Sequence, residues 1–219
     1  PKGSEADKYI TKYKFDLGET IVTVVQNDGD TDFCTQVNLG IETVPTNWFS
    51  ILEFDDEFST IWFDNVVKYR EAYPEVGIFM PMIADVNKDG VYIGGTNEAV
   101  WANQFSDEMG FLDEGALLRY QNFNTDGAVI RKELVEDYGG FKSKMKLTFI
   151  YEFLLRMTHN AVTTMVIPRI GYKHMNLREG SLFADYANTL DGNESKWWLD
   201  QAKKEFHWSE NRELKYTTI

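Results

Sequence analysis

The 219-residue chain has one cysteine, five prolines and far fewer basic than acidic residues. The single cysteine, Cys34, excludes an intramolecular disulfide and a cysteine-rich zinc site, and it is typical of a reducing compartment. Its 22 Lys and Arg against 35 Asp and Glu give a formal net charge of −13. Because nucleic-acid binding requires clustered cations to neutralise phosphates, we expect no nucleic-acid partner.

Long hydrophobic runs are also missing from the chain. No segment approaches the roughly 18 apolar residues of a membrane-spanning helix, and Pro1–Tyr13 is too polar for a signal peptide. Hydrophobic residues still make up 43% of the sequence and aromatic residues 15%, enough to bury a sizeable core. We expect a polar segment over residues 1–17, one folded domain over 18–190, and a C-terminal helix and tail over 191–219 packed on it.

The most informative segment is WFSILEFDDEFS, Trp48–Ser59. Its apolar first half predicts a buried strand, and the strand ends in a cluster of four acids, Glu53, Asp55, Asp56 and Glu57. Adjacent carboxylates repel one another and are costly to desolvate, so this cluster favours a compensating cation. Oxygen ligands suit Mg²⁺, Mn²⁺ or Ca²⁺. A surface turn with solvated acids is the alternative interpretation.

The residues after this cluster predict a βαβ unit. Phe58–Tyr73 has the spacing of an amphipathic helix, and Val76–Met82 has the composition of a second buried strand. Ligands of such sheets bind at the carboxyl ends of the strands, where the acids lie. We therefore predict a three-layer α/β domain with a mostly parallel central sheet.

Further elements follow from local patterns. The predicted strands are Thr20–Gln26, Ala128–Ile130 and Thr163–Ile167. The predicted helices are Phe33–Val44, Lys132–Tyr138, Leu147–Met157 and Asn193–Phe206, and Pro168–Ser181 is predicted as a loop. Ala84–Gly95 begins like a calcium-binding loop, but Thr96 stands where that loop requires a glutamate, so we predict a hairpin turn.

The segment WFSILEFDDEFSTIWFDNVVKYREAYPEVGIF resembles the centre of family-two glycosyltransferases of the GT-A fold, and NESKWWLDQAKKEF resembles the tail of their phage and large-DNA-virus members. The similarity runs in order from Ile21 to Tyr216. It implies a Rossmann-like GT-A catalytic domain over 18–190 and inverting transfer of a sugar from a UDP-, GDP- or dTDP-sugar donor to a glycan or glycoprotein hydroxyl. It further implies Mn²⁺ or Mg²⁺ as cofactor and a cytoplasmic location, in the host cytoplasm if the protein is viral.

The resemblance also implies roles for the acidic residues of the first half. The acidic stretch stands in the place of the family's DXD-type motif, so Asp56 would ligate the metal and Asp55 would contact the donor ribose or diphosphate. The motif reads E-F-D-D-E, which leaves open which of its acids touches the ion. Asp28 would contact the nucleotide from the turn after the first predicted strand, although turn chemistry alone explains the same residues.

The segment NFNTDGAVIRKELVEDYGGF, Asn122–Phe141, resembles the family's glycine-loop strand followed by a GGF turn. Gly127 would let the backbone approach the donor sugar closely, and Asp126 would contact the same ligand. After the GGF turn the family places its general base on a helix that ends in an arginine. Glu152, four residues before Arg156, is the nearest acid and Asp126 is the next candidate; an ordinary i,i+4 ion pair is the alternative.

The sequence GYKH ends at His174, in the place where GT-A enzymes often hold the metal or the diphosphate. By that resemblance His174 would bind the metal, and Lys173 and Arg178 would compensate the charge of the leaving diphosphate. A hydrogen-bonded surface histidine is the alternative interpretation.

Family-two transferases begin with a further strand and helix that hold the nucleobase, and Pro1–Leu17 resembles neither. We therefore expect the first nucleotide-binding strand to be missing. This departure motivates a second interpretation, a catalytically silent carbohydrate-binding or virion-structural protein with a degenerate GT-A fold.

Overall fold

The computed structural model describes residues 8, 12, 21–25, 32–176, 188–210 and 212–216, and these form an α/β fold. The strands are β1 (Trp48–Ser50), β2 (Glu57–Phe58), β3 (Ile78–Val86), β4 (Tyr92–Thr96), β5 (Phe111–Leu112), β6 (Val129–Arg131) and β7 (Thr164–Met175). The helices are α1 (Phe33–Thr43), α2 (Trp62–Ala72), α3 (Glu114–Arg119), α4 (Lys132–Tyr138), α5 (Phe149–His159) and α6 (Gly192–Glu205). Among the described residues, no helix is long and apolar enough to cross a membrane.

The strands form one mixed sheet in the order β1-β6-β3-β7-β2, with β4 paired to β3 and β5 paired to β7. β3 and β7 are parallel neighbours, from Ile78 opposite Thr164 to Val86 opposite Met175. The other five described pairings are antiparallel. The predicted α/β class is confirmed, and its sheet has a parallel centre with antiparallel neighbours instead of being mostly parallel.

The predicted βαβ unit is present with one strand inserted in it. β1 and β3 both pair antiparallel with β6, so they run in the same direction on either side of that strand. Helix α2 connects them along the chain. Because β6 comes from a segment about 50 residues downstream of β3 in sequence, no local pattern around β1 could predict its insertion.

Helices pack on both faces of the sheet, as a three-layer fold requires. Alternate residues of a strand point to opposite faces, and accordingly Ile78 and Met80 lie in one hydrophobic cluster and Phe79 in the other. Helix α2 covers the Phe79 face with the buried side chains of Trp62 and Val66. Buried residues of α1, α5 and α6 cover the opposite face.

Several local predictions are confirmed by the elements and their ends. α1 begins after Asp32, whose side chain accepts a hydrogen bond from the Thr35 N–H, and α4 ends at Gly139, which has a φ of 85°. β3 and β4 form the predicted hairpin. In its turn, the Asn87 side chain accepts hydrogen bonds from the N–H groups of Asp89 and Val91.

Other predicted boundaries are wrong because long-range pairing decides them. β1 ends at Ser50, and α2 begins at Trp62 instead of Phe58, because Glu57 and Phe58 pair with β7. β7 continues through Met175, across part of the predicted loop, because it pairs along the whole of β3. Residues 21–25, within the predicted first strand, form no strand, and their valine and isoleucine side chains are exposed.

Candidate metal site and adjacent cleft

Three potential metal ligands meet where the sheet's polar ends converge. Asp56 lies between β1 and β2, Asp126 lies just before β6, and His174 lies near the end of β7. One oxygen of each carboxylate and one imidazole nitrogen all lie within 4.8 Å of one another. His174 Nδ1 is 3.1 Å from Asp56 Oδ2 and 3.8 Å from Asp126 Oδ2. The structure thus brings together two predicted metal ligands and one predicted catalytic residue.

Backbone and amide groups hold the two carboxylates in place. The Met175 N–H donates to Asp56 Oδ1 at 2.8 Å, which ties the β1–β2 loop to the end of β7. The Asn124 side chain donates to Asp126 Oδ2 at 2.5 Å and accepts from the Asp126 N–H at 3.2 Å. Such outer contacts fix the direction in which a ligand oxygen points. Asn124 was not singled out in the sequence, where it is one of many polar loop residues.

The three groups perturb one another electrostatically. Burial, followed by the charge of Glu53, raises the pKa of Asp126 to about 7. Burial also raises the pKa of Asp56, but hydrogen bonds from His174 and the Met175 N–H outweigh it, so that pKa is lowered overall. The hydrogen bond to Asp56 raises the pKa of His174 to about 9, against the opposing effect of burial. In the metal-free site a protonated His174 therefore compensates the charge of Asp56, while burial opposes the ionisation of Asp126.

This donor set fits a divalent cation. Two carboxylate oxygens and one imidazole nitrogen are ligand types that Mn²⁺ accepts, and the carboxylates also suit Mg²⁺. The Asp56 and Asp126 side chains are only 1% and 9% exposed. Two nearly buried carboxylates that share a single histidine are costly to ionise together, and a bound cation would relieve that cost.

The other residues predicted to bind the nucleotide-sugar donor are not among the three ligands of this cluster. Asp55 precedes Asp56 in the same loop, and Lys173 donates to Glu57 Oε2 at 3.1 Å on the exposed β2–β7 edge. Asp28 and Arg178 lie outside the described residues. No geometry is therefore assigned to those two side chains.

Gly127 has a packing role in this structure. Its φ is 70°, and an added Cβ would lie 2.4 Å from Cδ2 of the Tyr172 ring. Its carbonyl also accepts a hydrogen bond from Trp62 Nε1 at 2.9 Å. Glycine is thus required here by the backbone and by the ring behind the site, whatever ligand the site binds.

Glu152, the first predicted base, lies in a buried ion network. Its side chain has no exposed surface, Lys142 Nζ is 2.6 Å from Oε1, and Arg156 binds both oxygens at 2.9 Å. Arg156 also donates to the carbonyls of Tyr138, Gly139 and Gly140 at the end of α4. Lys142 donates to the carbonyl of Glu205, the last residue of α6, and to that of Trp208. The i,i+4 pair is present, but this enclosure does not present Glu152 to an acceptor, so we do not retain it as the base.

A cleft of about 450 Å³ opens beside the metal cluster. His174 and Asn124 line it, together with Asp85 from the end of β3. Asp85 lies opposite His174 in the parallel register, and its Oδ2 accepts a hydrogen bond from Thr96 Oγ1 at 3.2 Å. In the sequence, Asp85 was considered only as part of the segment Ala84–Gly95 that begins like a calcium-binding loop. Its position at the polar end of an apolar strand is the same signal that identified Asp56.

Comparisons with known proteins support the fold of the chain. No protein-family profile and no curated protein sequence matches it. Solved structures do: TarS 1–349 of S. aureus in complex with UDP-GlcNAc has a TM-score of 0.59 at 14% identity, over 83% of this chain and 49% of that one. A second TarS 1–349 structure, in complex with UDP, has a TM-score of 0.57 at 13% identity, over 93% of this chain and 68% of that one.

A mannosyltransferase, PcManGT from Pyrobaculum calidifontis in complex with GDP-Man and Mn²⁺, has a TM-score of 0.56 at 14% identity, over 94% of this chain and 58% of that one. The fold is therefore that of GT-A-like glycosyltransferases. At this identity the likeness is one of fold alone, and the chain spans about half the length of TarS 1–349 in the UDP-GlcNAc comparison.

The buried ion network predicts a large stability effect at Glu152. Glu152→Gln leaves Lys142 and Arg156 buried without their carboxylate, so we expect the free energy of unfolding to fall by about 3–5 kcal/mol in urea denaturation. Glu136→Gln is the matched control. It removes an exposed i,i+4 partner 3.8 Å from Lys132 and should change stability by less than about 0.5 kcal/mol. A Glu152→Gln variant as stable as the wild type would contradict the network.

The contact between His174 and Asp56 predicts a pH effect in the metal-free protein. Because the folded pKa of His174 is raised from 6.5 to about 9, its stabilising effect is complete below pH 6.5 and is lost as the pH rises through 9. An NMR titration with chelator should show one imidazole that titrates near 9 and is absent in His174→Gln. In Asp56→Asn its pKa should move toward 6.5. If Asp56→Asn leaves the pKa of His174 unchanged, the hydrogen bond to Asp56 is not the cause of the raised pKa.

Proposed function

We propose that this protein is a metal-dependent glycosyltransferase that moves a sugar from a nucleotide-sugar donor to an acceptor hydroxyl with inversion. The observation that carries the proposal is the cluster of Asp56, Asp126 and His174 on a GT-A-like sheet. Structural neighbours of that fold are in complex with UDP-GlcNAc, UDP, or GDP-Man and Mn²⁺. We propose a UDP-, GDP- or dTDP-sugar as the donor and a glycan or glycoprotein hydroxyl as the acceptor.

Asp56, Asp126 and His174 would hold Mn²⁺ or Mg²⁺, which when bound neutralises the charge that develops on a diphosphate leaving group. The chain's own groups must change protonation for this. His174 loses its proton to offer a nitrogen lone pair, and Asp126 must be ionised. Metal affinity should therefore increase with pH across the range set by the raised pKa values of these two groups.

The residues around the cluster would bind the donor. We propose that Asp55, next to Asp56, contacts the ribose or diphosphate, and that Asp28 contacts the nucleotide. Lys173 and Arg178 would add positive charge near the leaving diphosphate. Lys173 is paired with Glu57 at the surface, and a pair this exposed is weak enough to exchange for a phosphate. Gly127 keeps the Asp126 turn close to the Tyr172 ring and so shapes the wall on the donor side.

The base that removes the acceptor proton must reach the cleft. Asp126 has a place in the metal cluster, and we propose it as a ligand, whereas Glu152 is enclosed by Lys142 and Arg156. Asp85 is a half-buried carboxylate on the cleft wall, beside His174 in the sheet. We propose Asp85 as the base, because it lines the cavity beside the metal cluster, where the donor's sugar and the acceptor hydroxyl would meet.

Asp85→Asn removes the proton acceptor and keeps the shape of the side chain. We expect turnover to fall by about 10²-fold or more, measured as acceptor-dependent release of nucleoside diphosphate from a panel of UDP-, GDP- and dTDP-sugars. Asp89→Asn in the exposed hairpin turn is the matched control and should leave turnover unchanged. Full activity of Asp85→Asn would remove this residue from the mechanism, and binding without turnover in the wild type would indicate a carbohydrate-binding protein instead.

The metal site itself predicts a linked binding of metal and nucleotide. Because Mn²⁺ recruits phosphate oxygens as ligands, we expect UDP or GDP to raise its affinity about tenfold or more. Asp56→Asn should weaken Mn²⁺ binding about tenfold with either nucleotide, and Asp89→Asn should not change it. The measurement is a titration of Mn²⁺ followed by electron paramagnetic resonance. Identical curves with and without nucleotide in all variants would refute the proposed function.

A further inference from the structure

The cleft beside the metal cluster has a chemistry of its own. Of its lining residues, His174 belongs to the cluster, and Asn124 donates a hydrogen bond to Asp126 of the cluster. A ligand in the cleft therefore lies next to whatever the cluster binds. We propose that the cleft binds an uncharged sugar ring and rejects sugars that carry a carboxylate or a phosphate. This inference rests on the proposed function and specifies the substrate class of the same site.

The polar part of the lining consists mainly of neutral groups. A sugar hydroxyl both donates and accepts hydrogen bonds, and a side-chain amide offers both capacities in fixed directions. Thr96 adds a hydroxyl to the wall at the β4 edge. The lining amides belong to Gln121, Asn122, Asn124 and Asn176.

The charge of the lining disfavours an anionic ligand. None of the described residues that line the cleft is a lysine or an arginine, and its carboxylate is Asp85. The imidazole of His174 is already 3.1 Å from the carboxylate of Asp56. A ligand carboxylate or phosphate in the cleft would be desolvated beside Asp85 with no lysine or arginine of the lining to pair with it, which is costly. The net charge of −13 adds to this repulsion.

The apolar part of the lining suits the C–H faces of a sugar ring. Leu147, Ile150 and Leu199 supply aliphatic surface. Tyr151 contributes its ring, while its hydroxyl donates to the Leu117 carbonyl at 2.9 Å. These apolar side chains lie beside the directed polar groups of a lining that is polar overall, and the cleft volume of about 450 Å³ lies within the usual range for a small-molecule site.

Two sugars could provide such an uncharged ring: the sugar that the nucleotide donor carries and the sugar of the acceptor. Methyl β-glucoside and methyl β-galactoside are suitable neutral probes. The charged probes are methyl β-glucuronide and methyl β-galacturonide, which differ from them only in having a free carboxylate at C6; they are called the uronides below. Binding is measured by saturation-transfer NMR on the full chain with Mn²⁺ and UDP. We expect at least one neutral probe to bind, and its uronide to bind about tenfold more weakly or not at all.

A lysine at the cleft rim should remove this selectivity. Asn122 is exposed, and its amide makes a contact of 3.5 Å with the Tyr120 hydroxyl, so Asn122→Lys should not disturb the fold. We expect Asn122→Lys to strengthen uronide binding about tenfold. Asn103→Lys makes the same charge change on a separate surface hollow and is expected to have no effect on either probe.

Replacing UDP by UDP-GlcNAc or GDP-Man distinguishes the two sources. Loss of the glycoside signal assigns the cleft to the donor's sugar, and its retention assigns the cleft to the acceptor; both outcomes support the inference. The inference is overturned if no neutral probe binds, if uronides bind equally well, or if Asn103→Lys acts like Asn122→Lys. Nucleotide-dependent Mn²⁺ binding is measured on the same samples, so a failure of the proposed function is recognised separately.

Discussion

The site depends on the parallel pairing of β3 with β7. This ladder runs from Ile78 and Thr164 in the core to Val86 and Met175 at the edge, so its first half is apolar and its last half carries the functional groups. Asp85 and His174 are neighbours in it, and the Met175 N–H holds Asp56. Because the same register places the core side chains and the polar ones, a slip of one residue would lose both the packing and the cluster.

Two buried anionic centres in this fold are neutralised in different ways. Glu152 meets Lys142 and Arg156 in direct ion pairs, and those cations are also bonded to backbone carbonyls. This network is complete within the protein and joins the helices on one face of the sheet. Buried ion pairs of this kind add little net stability but make the loss of one partner expensive.

Asp56 and Asp126 instead share one histidine, and their pKa values are shifted in opposite directions. Burial makes the ionisation of Asp126 costly in the metal-free fold, and such a cost is expected where a protein binds a cation. The cleft next to the cluster is lined mainly by neutral polar groups and does not call for a charged ligand. In the proposed function, the cluster binds a metal and a diphosphate, and the cleft binds an uncharged ring.

Local patterns in the sequence were sufficient for much of the fold and part of the site. The helix at Lys132–Tyr138, the stop at Gly139 and the hairpin after β3 depend on residues close in the chain, so propensity and turn chemistry predict them. Asp56 could also be identified locally, because adjacent acidic residues at the end of an apolar segment repel one another whatever the rest of the fold is. Asp126 and His174 were selected only through a family resemblance.

What the sequence by itself determined was which short segments are buried, where the chain turns, and where acidic residues cluster after an apolar segment. Only the tertiary structure decided that Asp126 and His174 join Asp56, that β6 separates β1 from β3, and that Glu152 is enclosed. Asp56 and His174 are 118 positions apart, and Lys142 Nζ lies 2.6 Å from Glu152 Oε1 although the two residues are 10 positions apart. Such contacts are set by sheet register and helix packing, which no short stretch of residues encodes.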